Sequence, residues 1–127
     1  MESSAVTVLL AEVAQSNIRL SYLAGELKRL QPKTDGSVTV LFIRCGKNCR
    51  GCPHPYWRVW RKHYRGDNYL WLAHRISNPL KVLRRSGRFA ESYQRVRAVV
   101  EEILRLQKRR AELLAEIRRL SRLLAKT

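Results

Sequence analysis

Carboxylates are scarce in this chain, with 10 Asp and Glu among 127 residues. General acid–base chemistry needs them gathered in a pocket. Here most fall in helical stretches as charge partners, and Asp35 and Asp67 stand in Asp35-Gly36 and Gly66-Asp67 turn signals. Glycine is sparse too, with no Gly-rich phosphate loop, and no Ser/His/Asp arrangement is legible. We therefore expect no enzyme and no small-molecule substrate. No run approaches the ~18 apolar residues of a membrane span, so no membrane partner is expected. Met1 to Leu10 lacks the charged start and cleavage pattern of a signal peptide, which points to the cytoplasm. The chain has 3 cysteines, all between Cys45 and Cys52. An odd, tightly spaced set argues against a disulfide framework and for reduced, metal-bound thiols.

What the chain has in excess is positive charge: 26 basic residues and a net charge of +16. Nineteen of the 26 are Arg and seven are Lys. Arg forks match phosphate oxygens and stack on bases, so the bias points to a nucleic-acid partner. The charge is uneven. Residues 1–31 are neutral, residues 32–93 hold 13 basic and 3 acidic residues, and residues 94–127 hold 10 and 4.

Hydrophobic periodicity divides what we take as a single domain, 1–127. An N-terminal helix is expected over 1–31, from Leu9, Val13, Leu20, Leu23, Leu27 and Leu30 at 3–4 spacing, with Ser16 as a gap and Gln31-Pro32 as the stop. A long C-terminal helix is expected over 88–126. Val99, Ile103, Leu106, Leu113, Ile117, Leu120 and Leu124 repeat along it, and Arg110 fills a slot that should be apolar. Between them, 37–76 alternates as a three-stranded basic β-meander, and Asn78-Pro79 opens a short helix over 79–86. The expected fold is α+β: two long antiparallel, coiled-coil-like helical arms flank a small three-stranded antiparallel sheet with a Cys/His metal knuckle. One-sided helices must bury their stripe, so the arms are expected to pack together and to pair two chains as a homodimer. An acidic partner buried against Arg110 would instead mark association with a different protein.

The run Cys45-Gly46-Lys47-Asn48-Cys49-Arg50-Gly51-Cys52-Pro53-His54 is the most specific motif. Three thiolates and an imidazole at this spacing can close on one tetrahedral zinc ion, with Cys45, Cys49, Cys52 and His54 as ligands. His63 or His74 is the substitute fourth ligand, and an iron–sulfur cluster is the alternative cofactor. The Cys-x3-Cys-x2-Cys spacing also matches the radical-SAM motif, whose chemistry needs a barrel-sized fold that 127 residues do not supply. Cys45-Gly46-Lys47, Cys49 and Pro53-His54-Pro55-Tyr56-Trp57, followed by a basic hairpin and a Leu/Arg-rich helix, resemble a family of small uncharacterised bacterial and archaeal proteins. The likeness covers about residues 40–125 and departs from the family pattern at Cys52 and Pro55. It implies this layout and no particular activity.

Tyr56, Trp57, Trp60, Tyr64, Tyr69 and Trp71 interleave with Arg58, Arg61, Lys62, Arg65 and Arg75. Half of these aromatics must be core; we expect Trp57 and Val59 inward and Arg58, Trp60 and Lys62 outward. Lys81, Arg84, Arg85 and Arg88 extend the basic surface, so the nucleic-acid-binding set is Arg58, Trp60, Lys62, Arg65, Arg75, Lys81, Arg84, Arg85 and Arg88. The other cations of the long helix are partly paired with Glu101, Glu112 and Glu116, Glu101 with Arg105, and are read as a solvated face, with a second phosphate-binding stripe as the alternative. The expectation is a DNA-binding architectural or regulatory protein, DNA ahead of RNA, that is zinc-stabilised and nucleoid-associated. The alternatives are RNA or single-strand binding through the aromatic sheet, and a coiled-coil module docking on an acidic protein.

Overall fold

The structure, a computed structural model, describes residues 4–31, 34–46, 51–86 and 90–126, with the side chains at 85, 86, 90 and 91 left outside that description. The chain runs α1 (Ser4–Leu30), β1 (Val38–Ile43), β2 (His54–Arg65), β3 (Asn68–Arg75), α2 (Pro79–Ser86) and α3 (Ala90–Ala125). No described helix is long and apolar enough to cross a membrane.

The α1 stripe buries Val6, Val13, Ser16, Leu20, Leu23 and Leu27. Ser16, a gap by hydrophobicity, sits on the stripe as a small side chain. The facing stripe of α3 buries Val96, Val100, Ile103 and Leu113, with Arg110 among them. Arg19 reaches Glu102 with both Nε and Nη2, at 3.1 and 3.3 Å, and Arg109 Nε meets Glu12 at 3.2 Å. These exposed pairs fix register more than they stabilise. Within α3, Glu101 pairs with Arg97 one turn before it, not with Arg105 one turn after.

The sheet order is β1-β2-β3, antiparallel throughout. Its ladders are staggered: β1 lies opposite residues 54–59 of β2, while β3 lies opposite 58–65. Two loop bonds, Gly36 N–H to the Trp60 carbonyl and Trp60 N–H to the Ser37 carbonyl, carry the first ladder two residues further. There Asp35 Oδ1 accepts the Lys62 N–H at 3.0 Å and closes it. Past that point β2 and β3 form a two-stranded ribbon whose Tyr64, Tyr69 and Leu70 are all exposed. Its two-residue loop turns at Gly66, whose φ of +62° favours glycine, while Asp67 stays at negative φ, the pattern of a II′ hairpin.

Gln31 ties helix to sheet. Its buried amide accepts the Val38 N–H at 2.8 Å and donates to the carbonyls of Val38 and Leu27. The side chain thus stands in for a missing strand beside β1. Asn78 caps α2, its Oδ1 accepting the Lys81 N–H at 3.1 Å. The core gathers Leu20, Leu23 and Leu27 from α1, Val38, Val40 and Trp57 from the sheet, Leu83 from α2, and Val96, Val100 and Ile103 from α3. Leu27 is fully buried at the centre of this four-way junction. Leu27→Ala is expected to cost ~2–5 kcal/mol, read by urea denaturation, because the surrounding elements cannot all collapse into the space.

Candidate nucleic-acid interface and metal centre

Strand parity sorts the sheet into two faces. Val38, Val40, Trp57 and Val59 are buried against the helices. The register puts Tyr56, Arg58, Trp60, Lys62 and Tyr64 of β2 on the opposite, outer face, beside Tyr69, Trp71, Ala73 and Arg75 of β3. Trp57 and Val59 therefore point inward, and Arg58, Trp60 and Lys62 outward.

On that outer face cations and rings interleave. The Arg58 guanidinium lies 5.1 Å from the Trp60 ring, and Arg75 lies 4.9 Å from Tyr56. Lys62 Nζ sits 4.7 Å from Tyr69 and 5.3 Å from Trp71. Arg58 and Arg75 stand directly opposite each other in the ladder. Like charges so placed repel, which an anion between them would relieve. No strand residue is an Asp or Glu. Among the described residues none of Arg58, Lys62 and Arg75 has a carboxylate within 4 Å; Asp35 approaches Arg61, at 3.9 Å.

The other expected contacts are dispersed. Arg65 has the parity of the inner face and lies exposed at the ribbon tip, so it does not join Arg58, Trp60 and Lys62. Lys81 and Arg84 are exposed on α2, whose Leu83 packs into the core on the helical side of the sheet. The basic surface is thereby split: α2 does not extend the outer face. The side chain of Arg85, and Arg88 altogether, lie outside the described residues.

Cys45 Sγ, Cys52 Sγ and a ring nitrogen of His54 lie within 4.8 Å of one another, and this group could hold a metal ion. The two sulfurs are 3.3 Å apart, beyond the ~2.0 Å of a disulfide. Thiolates sharing a tetrahedral zinc at ~2.3 Å stand ~3.8 Å apart, a small opening from this spacing. The Cys45 N–H points at Cys52 Sγ at 3.3 Å, a contact that stabilises negative charge on sulfur. Cys49 lies outside the described residues. His63 and His74 do not join the cluster: they face each other on the ribbon, Nε2 to Nε2 at 2.8 Å.

The loop that carries Cys52 is held by a residue read from sequence as a break in the helix stripe. Arg110 donates from Nη1 to the Gly51 carbonyl at 2.8 Å and from Nη2 to the Cys52 carbonyl at 2.6 Å. Its Nε donates to Asn17 Oδ1 on α1 at 2.7 Å. Arg110 is 4% exposed. Burial pulls its pKa below the ordinary arginine value, and the charge of Cys52 opposes that shift. Its partners here are two backbone carbonyls and a side-chain amide, none of them acidic. Sequence reasoning also passed over Lys28, which lines a cleft beside β1 together with Arg58. The polar interruption at 110 was the legible signal for the first; no signal in the sequence pairs residue 28 with residue 58.

No family model, curated protein or solved structure matches the chain. The resemblance drawn from the cysteine motif and the elements that follow it rests on the sequence alone.

Proposed function

We propose that this protein binds an unpaired nucleic-acid strand along the outer face of its sheet. The observation that carries the reading is the face itself: Tyr56, Trp60, Tyr64, Tyr69 and Trp71 interleave with Arg58, Lys62 and Arg75, and no carboxylate stands among them. Bases stack on rings and guanidinium planes while cations reach phosphates, so this composition suits single strands without base-specific readout. In the free protein the cations rest over the rings. Binding exchanges these contacts, the rings taking bases and the cations phosphates.

Zinc, held by Cys45, Cys52 and His54 with Cys49 as fourth ligand, fits the soft thiolate set and fixes the entry to β2. Purified protein is expected to carry about one zinc per chain, and Cys52→Ala to lose it and lower the thermal midpoint by ~10 °C. Full-strength stability with no metal in wild type would remove the zinc from this account. The order of the pairs Arg19–Glu102 and Glu12–Arg109 supports α1 and α3 as antiparallel, coiled-coil-like arms. Val8, Ile18 and Tyr22 remain exposed on α1, a surface through which two chains would pair.

A second reading, duplex DNA, is favoured by the ribbon, exposed on both faces and of a width that enters a major groove. Anisotropy titration of a random single strand and a duplex of equal length separates the two. Single-strand affinity is expected to lead and to fall with a log–log salt slope of about −2, or ~0.7 for each of three phosphates. Preference for the duplex would move the site to the ribbon. No binding to either at ~50 mM salt, where phosphate contacts are strong, would overturn the nucleic-acid reading.

A further inference from the structure

Where the C-terminal turns of α1 pass the edge strand β1, a cleft of about 490 Å³ opens onto the outer face. That volume falls in the ~300–1,000 Å³ range of small-ligand sites. Lys28 comes from α1, Thr39 and Leu41 from β1, Arg58 and Trp60 from β2, and Trp71 from β3. The walls are set in place independently of any ligand. Trp60 Nε1 donates to Thr39 Oγ1 at 2.9 Å, which fixes the indole. The amide of Gln31, also on the wall, is held by Val38 and Leu27.

One polar atom of a residue that lines this cleft has no task in the chain. Arg58 Nε is buried and has no hydrogen-bond partner among the described residues. Leaving a guanidinium N–H dry and unpaired is costly, and a turn of the Arg58 side chain toward a ligand's acceptor would remove the cost. Lys28, exposed on the far wall, has no carboxylate within 4 Å among the described residues. Flat apolar indoles, a waiting donor and two cations together describe a planar ligand that carries an anion.

We infer that the cleft is a nucleotide pocket: it takes one unpaired base against the indoles of Trp60 and Trp71, with the attached phosphate between Arg58 and Lys28. This rests on the nucleic-acid reading above and adds to it a fixed end point. A strand lying on the outer face would deliver one base into the cleft, and the helix α1 would become part of the binding surface.

Photo-crosslinking of a random single strand bearing 5-iodouracil tests this, with the attached residue identified by peptide fragmentation. Crosslinks are expected on Trp60 or Trp71, and Lys28→Glu is expected to weaken strand binding ~10-fold and to lower the crosslink yield at those residues. Lys126→Glu, at the exposed end of α3, serves as the charge-matched control and should change neither. Crosslinks confined to Tyr64 and Tyr69, with Lys28→Glu binding as wild type, would overturn the pocket and leave the outer-face reading standing. Failure of every oligonucleotide to bind would overturn both.

Discussion

Replacing Arg58, Lys62 and Arg75 together by Glu is expected to lower single-strand affinity by ~1,000-fold or more at ~100 mM salt, taking ~10-fold for each lost phosphate contact and adding repulsion. The fold should survive. None of the three side chains belongs to the core, and none makes an ion pair with a described residue. The triple keeps like charges facing across the ladder at positions 58 and 75, as in wild type, so that pair adds no new kind of strain. The informative control reverses Lys108, Arg118 and Arg122, which are exposed on α3. It makes the same change in net charge on a different surface. If the outer face carries binding, this second triple should cost less than ~10-fold, the residue of a long-range field screened over ~10 Å. Equal losses in both triples would mean that net charge, and not the aromatic strip, binds the strand.

Arg110→Leu is expected to destabilise the fold by ~2–4 kcal/mol although leucine suits the helix stripe. The change leaves the Gly51 and Cys52 carbonyls and Asn17 Oδ1 without their shared donor at the junction of α1, α3 and the cysteine loop. Metal affinity should fall with stability, since the same carbonyls orient the backbone at Cys52, and outer contacts of this kind typically shift affinity ~10–100-fold. Arg110→Lys should not rescue it, because an ammonium cannot span three acceptors from one planar fork. Urea denaturation with and without a chelator measures both effects. A Leu variant as stable as wild type, with unchanged metal affinity, would show that the clamp has no energetic role.

Much of the layout was legible because it depends on local pattern. Helix stripes at 3–4 spacing, strand alternation, the Gly66-Asp67 loop and the Asn78 cap each follow from residues a few positions apart. The inward choice of Trp57 and Val59 followed from the need to seat helices on one face. Side chains that join distant segments were not legible. Gln31 completes a strand edge, and Lys28 shares a cleft with residues about 30 positions later. Arg110 broke the heptad visibly, but its purpose lies in two backbone carbonyls that no side-chain pattern announces. Proximity in sequence groups Arg65 with Arg58 and Lys62, and strand parity separates them, since 58, 60 and 62 share a face that 65 does not. Charge groups Lys81 and Arg84 with that face, and burial of Leu83 turns their helix to the other side of the sheet. Cys49 and Arg88 lie outside the described residues, so the ligand set and the basic cluster at those positions rest on sequence alone.

The aromatic, cationic face of the sheet is the proposed seat of nucleic acid, and titration of isotope-labelled protein with a short single strand, followed through its amide and indole resonances, locates it. The indole N–H signals of Trp60 and Trp71 and the amides from Tyr56 to Tyr64 are expected to move together, while the buried Trp57 indole and the amides of α3 stay nearly still. Shifts confined to α3 or α2, with the outer face unmoved, would contradict that placement.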